Sequence, residues 1–264
     1  MTLTKLYGNA RKFLTKNRLK VSTTTGFFRN DVQMETILRL MPKPKTIYVF
    51  GCSDGCEAYT FAIHLKLNNV TPPPTIRGFD INEECILRAR NAIYEGQQMD
   101  YYGTGEKLSG PKAQFFHAID GGKFRVDKSI TNTCDFQLGS VLDEAFMSQL
   151  PPADLVFCQN VLIHLSPEQN RVALQKLQRL VGENGLLVIG GMRPELRSAL
   201  TKEARLEPVV DDCRVIHDGW RDLRSWWDES KPWAREYFAL ERFEETPDWQ
   251  QRYSSIFRLP VSGK

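Results

Sequence analysis

No part of this 264-residue chain limits its fold as tightly as residues 47–60, Ile-Tyr-Val-Phe-Gly-Cys-Ser-Asp-Gly-Cys-Glu-Ala-Tyr-Thr. An apolar strand runs directly into a turn bracketed by Gly51 and Gly55, and then into a helix. In an open α/β sheet that junction is where a nucleotide-like ligand lies, beyond the carboxyl end of the strand. The two glycines remove side chains where backbone has to approach a ligand closely, while Ser53 and Glu57 set hydrogen-bonding groups beside it. The spacing is not the G-x-G-x-x-G of dinucleotide sites, in which a pyrophosphate rests on the helix N-terminus. An acid at Glu57, in the first helical turn, repels phosphate and suits a ligand that carries an amine.

Further on, Thr75-Ile-Arg-Gly-Phe-Asp80 reads as a second short strand ending in an acid, the place for a carboxylate that accepts hydrogen bonds from ribose hydroxyls. Strand, glycine turn, helix, strand and acid form one unit. S-adenosylmethionine, with a ribose and an ammonium but no phosphate, is the cofactor that fits it. The plainer alternative gives Glu57 and Asp80 only capping and dipole roles at helix N-termini.

The rest of the chain repeats this alternation. The spacing predicts a helix over 31–41 that ends before Pro42 and Pro44, a strand over 46–51, a helix over 54–69, a strand over 76–80 and a helix over 83–94. Residues 95–130, rich in Gly, Lys, Tyr and Phe, interrupt the pattern and read as an insertion of loops with a small strand pair. Strands at 134–138 and 154–158, a helix over 167–181 and a strand at 185–190 follow. Each strand is a short apolar run, as expected where helices cover both faces. Residues 204–210 and 214–216 read as two more strands forming an antiparallel edge. The fold class is α/β, a doubly wound Rossmann-like sheet with helices on both faces. Three parts are expected: a basic helix and linker over 1–30, the sheet domain over 31–219 and an aromatic extension over 220–264.

The net charge of +3 gives no general attraction to nucleic acid or membrane. The basic excess is local: residues 1–20 carry six Lys and Arg and no acid, with Leu3, Leu6, Ala10, Phe13 and Leu14 at helical spacing. A nucleic-acid role for that helix rests on charge alone. No run approaches the roughly 20 apolar residues that span a bilayer, and none resembles a signal peptide, so a cytoplasmic protein with no membrane span is expected. Six scattered cysteines form no disulfide framework and no zinc-ligand spacing, which points to reduced thiols and no metal. Five tryptophans, all between Trp220 and Trp249, need a surface to bury against: two terminal helices packed on the sheet, or else a substrate lid or a homodimer contact.

Three segments together resemble the chemotaxis CheR family of S-adenosylmethionine-dependent methyltransferases. Residues 23–30, Thr-Thr-Thr-Gly-Phe-Phe-Arg-Asn, are similar to that family's N-x-T-x-F-F-R-[ED]. Residues 51–60 are similar to G-C-S-T-G-E-E-P-Y-S, and Cys158-Gln-Asn-Val-Leu-Ile-His164-Leu to C-R-N-V-L-I-Y-F. Phe79-Asp80-Ile-Asn lies between them, and residues 89–94 echo A-R-x-G-x-Y. The resemblance implies a class I methyltransferase sheet and an enzyme that converts glutamate side chains to methyl esters. It also implies that Thr25, Arg29, Glu57, Asp80 and Asn160 contact the cofactor, with Thr23 in place of an Asn and Gln159 in place of an Arg. The adenine-side Asn-Leu pair falls on Ser140 and Val141.

Methyl transfer from a sulfonium to an ionised carboxylate needs positioning more than a strong base. Arg29 is suited to hold the carboxylate through two parallel hydrogen bonds. His164 stands where the family has a pocket-lining tyrosine. An imidazole there can donate like a phenol but also accept a proton, which admits hydroxyl or thiol acceptors. The family's basic N-terminal domain is here reduced to some twenty residues, its G-H-S-E is Gly190-Gly-Met-Arg193, and the aromatic C-terminus has no recognised counterpart. These departures lie on the acceptor side, so the leading expectation is O-methylation of a small-molecule carboxylate. Methylation of a protein glutamate comes next, and a non-catalytic cofactor-sensing or scaffold module is the reading from another class.

Overall fold

The computed structural model describes residues 25–96, 110–222 and 242–260. The basic helix expected over 1–20, Thr23, residues 97–109 of the insertion, and Trp226, Trp227 and Trp233 lie outside the described residues.

Seven strands form the main sheet: β1 (Thr46–Phe50), β2 (Thr75–Asp80), β6 (Cys134–Leu138), β7 (Ala153–Gln159), β8 (Val181–Gly190), β9 (Glu207–Pro208) and β10 (Ile256–Arg258), in the order β6-β2-β1-β7-β8-β10-β9. The pairs from β6 to β8 are parallel, while β10 runs antiparallel to both β8 and β9. Chain order reverses between β1 and β7, where the connections leave in opposite directions and a crevice opens beyond the strand carboxyl ends.

Pleating sorts the side chains. Ile47 and Val49 of β1, Leu155 and Phe157 of β7, Leu186 and Val188 of β8 and Ile256 of β10 share one buried cluster. Tyr48, Phe50, Val156, Cys158, Leu187, Ile189 and Phe257 share the other. Each strand is thus buried on both sides, which is why its sequence is a continuous apolar run rather than an alternating one. On the first face lie α1 (Asp31–Leu40), α2 (Cys56–Leu67), α3 (Glu83–Asn91) and α8 (Cys213–Asp222); on the second lie α6 (Pro167–Leu180) and α7 (Pro194–Glu203). Residues 56–65 of α2 are all buried, so this helix is enclosed on every side rather than amphipathic, with Glu57, Thr60 and His64 as its buried polar groups. Short helices α4 (Lys128–Thr131) and α5 (Glu144–Met147) flank β6, and α9 (Trp249–Tyr253) precedes β10.

The insertion holds a second sheet of three antiparallel strands, β3 (Ile93–Glu95), β5 (Lys123–Val126) and β4 (Phe116–Ile119), in the order β3-β5-β4. It exceeds the expected strand pair because β3 comes from residues expected to end a helix. Ala92 adopts a left-handed conformation, φ +51°, which stops α3 at Asn91 and turns the chain into a strand. The sheet is tied to α2 and to the segment before α1 by aromatic edges: Tyr59 of α2 meets Tyr94 at 6.3 Å, and Phe27 meets Tyr94 and Phe116 edge-on, each at 4.9 Å.

Residues 214–216, expected as a strand, lie inside α8. The physical reason is legible in the chain: Cys213, Ile216, His217 and Trp220 recur at helical spacing, and the first three are buried. Of 204–210 only Glu207–Pro208 is a strand, and its antiparallel partner is β10, from near the C-terminus. The division expected at 219/220 falls within α8, and β10 is an inner strand of the main sheet.

Candidate active site

β1 ends at Phe50 and the chain turns through Gly51 (φ +68°), Ser53 (φ +51°) and Gly55 (φ +91°) before α2 begins at Cys56. Gly51 and Cys52 donate their backbone N–H groups to Phe79 O, at 2.7 and 3.1 Å, which pins the turn to the end of β2. A side chain at Gly51 would place Cβ 2.2 Å from Val161 Cγ2, and one at Gly55 would meet Phe136 and Ala89. Both glycines are therefore required twice, for backbone conformation and for packing.

Asp80 closes β2. Its Oδ2 accepts from Ser53 N and its Oδ1 from Asn82 N, both at 2.9 Å. Burial pushes the carboxyl up, opposed by those backbone N–H groups. Each oxygen keeps further acceptor capacity, as a ribose diol requires.

Glu57, on the first turn of α2, is 8% exposed and lies between Arg29 and Gln159. Arg29 Nη2 donates to Glu57 Oε2 at 2.9 Å, and Gln159 Nε2 donates to Glu57 Oε1 at 3.0 Å. Burial drives the Glu57 carboxyl above its ordinary range against the opposing pull of Arg29 and the hydrogen bond from Gln159. The network continues through α1, as Gln159 Nε2 also reaches Gln33 Oε1 at 3.2 Å and Gln33 Nε2 donates to Ser255 Oγ at 2.7 Å. Gln159 Oε1 is buried with no hydrogen-bond partner among the described residues. It faces Gly190, where a Cβ would sit 2.9 Å away. Arg29 is also covered by Trp220 of α8, whose ring centre is 5.5 Å from the guanidinium carbon.

Asn160 follows β7 in a left-handed conformation (φ +57°), donates its backbone N–H to Gly190 O at 3.0 Å, and has its side chain against Gly191. Gln159, Asn160, Gly190 and Gly191 line a cavity of about 20 Å³ roofed by Ile216, His217 and Trp220. His164 ends a short 3-10 turn at Leu162–His164 just past Asn160. Burial lowers its imidazole below the ordinary value, which keeps it neutral near neutral pH. Thr25 is buried two residues before the Phe27 anchor.

The structure thus brings Gly51, Ser53, Glu57, Asp80, Arg29, Gln159 and Asn160 to the carboxyl ends of β1, β2 and β7. Ser140 lies beyond β6, where its Oγ accepts from Leu142 N at 3.2 Å, and the Val141 side chain is buried in the second-face core. Gln33, Trp220 and Ser255 are site residues that sequence reasoning missed. Gln33 carried one signal, an amide on the buried face of α1 beside Met34 and Ile37. All six cysteines are free, and burial raises the Cys52 and Cys56 thiols well above their ordinary value, so the two in the cofactor turn are protonated and inert.

Comparison with known proteins gives the same reading. The CheR methyltransferase SAM-binding domain matches residues 22–202. A putative methyltransferase, Cher3, of Pseudomonas putida is 30% identical over 190 residues, 71% of this chain and 67% of that one. A chemotaxis protein methyltransferase of Campylobacter jejuni is 27% identical over 169 residues, 63% of this chain and 62% of the relative, so the match spans about two thirds or less of either relative. Among solved structures, a TehB-like SAM-dependent methyltransferase from Corynebacterium glutamicum superposes with a TM-score of 0.41 at 14% identity, covering 78% of this chain and 84% of that one. No helix among the described residues is long and apolar enough to cross a membrane. With the glycine turn, the Asp80 carboxylate and the buried Glu57 in place, the chain belongs to the CheR family of S-adenosylmethionine-dependent methyltransferases.

Proposed function

We propose that this chain forms methyl esters on carboxylates, and that the acceptor is a glutamate side chain of a protein partner. The observation that carries the reading is the Arg29–Glu57 pair, 2.9 Å apart and largely buried beside the glycine turn, which sets a guanidinium at the mouth of the cofactor crevice. The relatives' description as chemotaxis protein methyltransferases moves the preference from a small molecule to a protein carboxylate.

The donor set suits the cofactor. Asp80 offers two oxygens oriented by backbone N–H groups to a diol, and Glu57 with the buried Gln159 Oε1 offers acceptors to an ammonium. When bound, S-adenosylmethionine supplies a methyl group on a sulfonium, an electrophile that an ionised carboxylate takes without prior deprotonation. Arg29 borders the bound cofactor and orients that carboxylate, and Glu57 fixes Arg29 by accepting from its Nη2. Trp220 and α8 cover the guanidinium from the first face and keep water from it, which strengthens its hold on an anion. A neutral imidazole at His164 has one N–H available to donate, and an ionised acceptor leaves it no proton to remove.

The test is transfer of radiolabelled methyl from S-adenosylmethionine, offered separately to proteins from a chemoreceptor-bearing membrane fraction and to free carboxylic acids. Label on protein that alkali releases as methanol is the expected outcome. Label that survives alkali would mean an ether or amine product, and ester formed only on free acids would return the acceptor to small molecules.

A further inference from the structure

Arg29 is held from two sides, and only one of them is the Glu57 pair. Its neighbours Phe28 and Asp31 are both gripped by the insertion. Phe28 has φ +50°, a left-handed conformation that a bulky aromatic adopts only where the surroundings impose it. Its N–H donates to Thr60 Oγ1 at 3.2 Å, and its ring lies under Lys112 Nζ at 4.6 Å and against Phe116 at 6.2 Å. Asp31 opens α1; one carboxylate oxygen meets His64 Nε2 at 2.9 Å, and the other accepts from Lys112 Nζ. Lys112 thus touches the residue before Arg29 and the residue two after it. It sits on the 3-10 turn Gly110–Phe115 that leads into β4.

We infer that Lys112 is a positioning residue for Arg29, through which the three-stranded sheet of the insertion is mechanically coupled to the reacting centre. The lysine does two things at once. Its charge, set between the Asp31 carboxylate and the Phe28 ring face, favours the left-handed backbone at Phe28, and that backbone aims Arg29 at Glu57. Burial pushes the Asp31 carboxyl up, but the hydrogen bonds from His64 and Lys112 outweigh it and leave the group below its ordinary value, so the anion needed for the clamp is present throughout the neutral range. Removing the lysine relaxes the loop at the residue that strains it. A displacement of about 1 Å at a positioned group is enough to cost on the order of a hundredfold in rate, and the loss of a hydrogen bond from a charged group costs about tenfold or more in binding.

The inference rests on the reading of Arg29 as a cofactor-side residue, and the experiment separates the two. S-adenosylhomocysteine is titrated calorimetrically into the full chain and into Lys112→Met, Lys112→Arg and Arg29→Ala, with amide hydrogen exchange followed over residues 27–33. Lys112→Met is expected to weaken binding at least about tenfold and to speed exchange across that loop, with Lys112→Arg restoring both to within about threefold. Lys112→Met binding and exchanging like the parent, while Arg29→Ala binds weakly, would overturn the coupling and leave Arg29 in its role. Unchanged binding in Arg29→Ala would remove Arg29 from the cofactor side, and the coupling with it. Lys112 is 27% exposed at its side chain and stands outside the main core, so the methionine variant is expected to fold.

Discussion

Replacing Arg29 by alanine probes the electrostatic centre of the site, and the structure fixes both the size and the pH dependence of the effect. Arg29 and Glu57 lie 2.9 Å apart with side chains 11% and 9% exposed, so both charges are largely out of water. At an effective dielectric of about 20, unit charges about 3.5–4 Å apart attract by roughly 4–5 kcal/mol. Truncating one partner of a buried pair costs about 3–5 kcal/mol, because the survivor is left uncompensated. Glu57 retains the hydrogen bond from Gln159, which places the expected loss near the lower end, about 3 kcal/mol at about pH 8. Within that sum, about 0.5–1 kcal/mol is the contact between the guanidinium and the Trp220 ring, which does not titrate.

The pH dependence follows from Glu57. Burial already holds its folded pKa above the ordinary value, and loss of the guanidinium raises it further. A carboxyl raised in the folded state takes up a proton as pH falls through the raised value, and the neutral form needs no counter-charge. The penalty of Arg29→Ala is therefore greatest in alkaline buffer and shrinks toward about pH 5, leaving mainly the lost Trp220 contact. Urea unfolding at about pH 8, 6.5 and 5 measures it, alongside Arg29→Ala/Glu57→Gln, in which the pH dependence should vanish. An equal loss at all three pH values, or parental stability at the highest, would refute the argument. The double variant also matters for chemistry. Compared with Glu57→Gln alone, which already lacks the charge facing the ammonium, it isolates the loss of a positioned guanidinium without the folding cost of an orphaned carboxylate.

Asp80→Ala removes the acceptor for two backbone N–H groups and for the ribose side of the cofactor, and should weaken S-adenosylhomocysteine binding by about tenfold or more in calorimetry, each hydrogen bond to a charged group contributing about 1.5–3 kcal/mol. Unchanged affinity would move the ribose elsewhere. Gly55→Ala forces a side chain into φ +91° and to within 3.0 Å of Phe136 Cζ; a left-handed residue costs about 1–2 kcal/mol, so the melting temperature should fall by about 2–8 °C for a chain of this size, and an unshifted melt would contradict the geometry. His164→Tyr should keep methyl transfer to a carboxylate within about tenfold of the parent, since burial keeps the imidazole neutral and no proton is removed; a loss of about 10²–10⁴ would make His164 a general base and the acceptor a hydroxyl or thiol.

The parts of the site legible in the chain were those whose physics is local. Gly51 and Gly55 had to be glycines because of a backbone conformation written within five residues, and Asp80 was marked as the acid that ends a short strand. Arg29 and Gln159 were found only through resemblance, because nothing local says that residues 130 positions apart converge on one carboxylate. Trp220 was hidden for a different reason. A strand expected over 214–216 and a boundary set at 219/220 split the helix that carries it, and two adjacent apolar residues, Val215 and Ile216, cannot by themselves separate strand from helix. The spacing Cys213, Ile216, His217, Trp220 spans that boundary, and read as one period it turns the first aromatic of the C-terminal region inward toward Arg29. The same reasoning covers Ser255, which precedes an inner strand of the main sheet and hydrogen-bonds Gln33 of α1. Both residues lie beyond the family match that ends at 202, yet both reach the Glu57 network or the guanidinium it holds. Trp220 and Ser255 therefore belong to the wall of the site as well as to the fold, and substitutions at either should loosen Arg29 or the Glu57 network and so weaken the hold on acceptor and cofactor together.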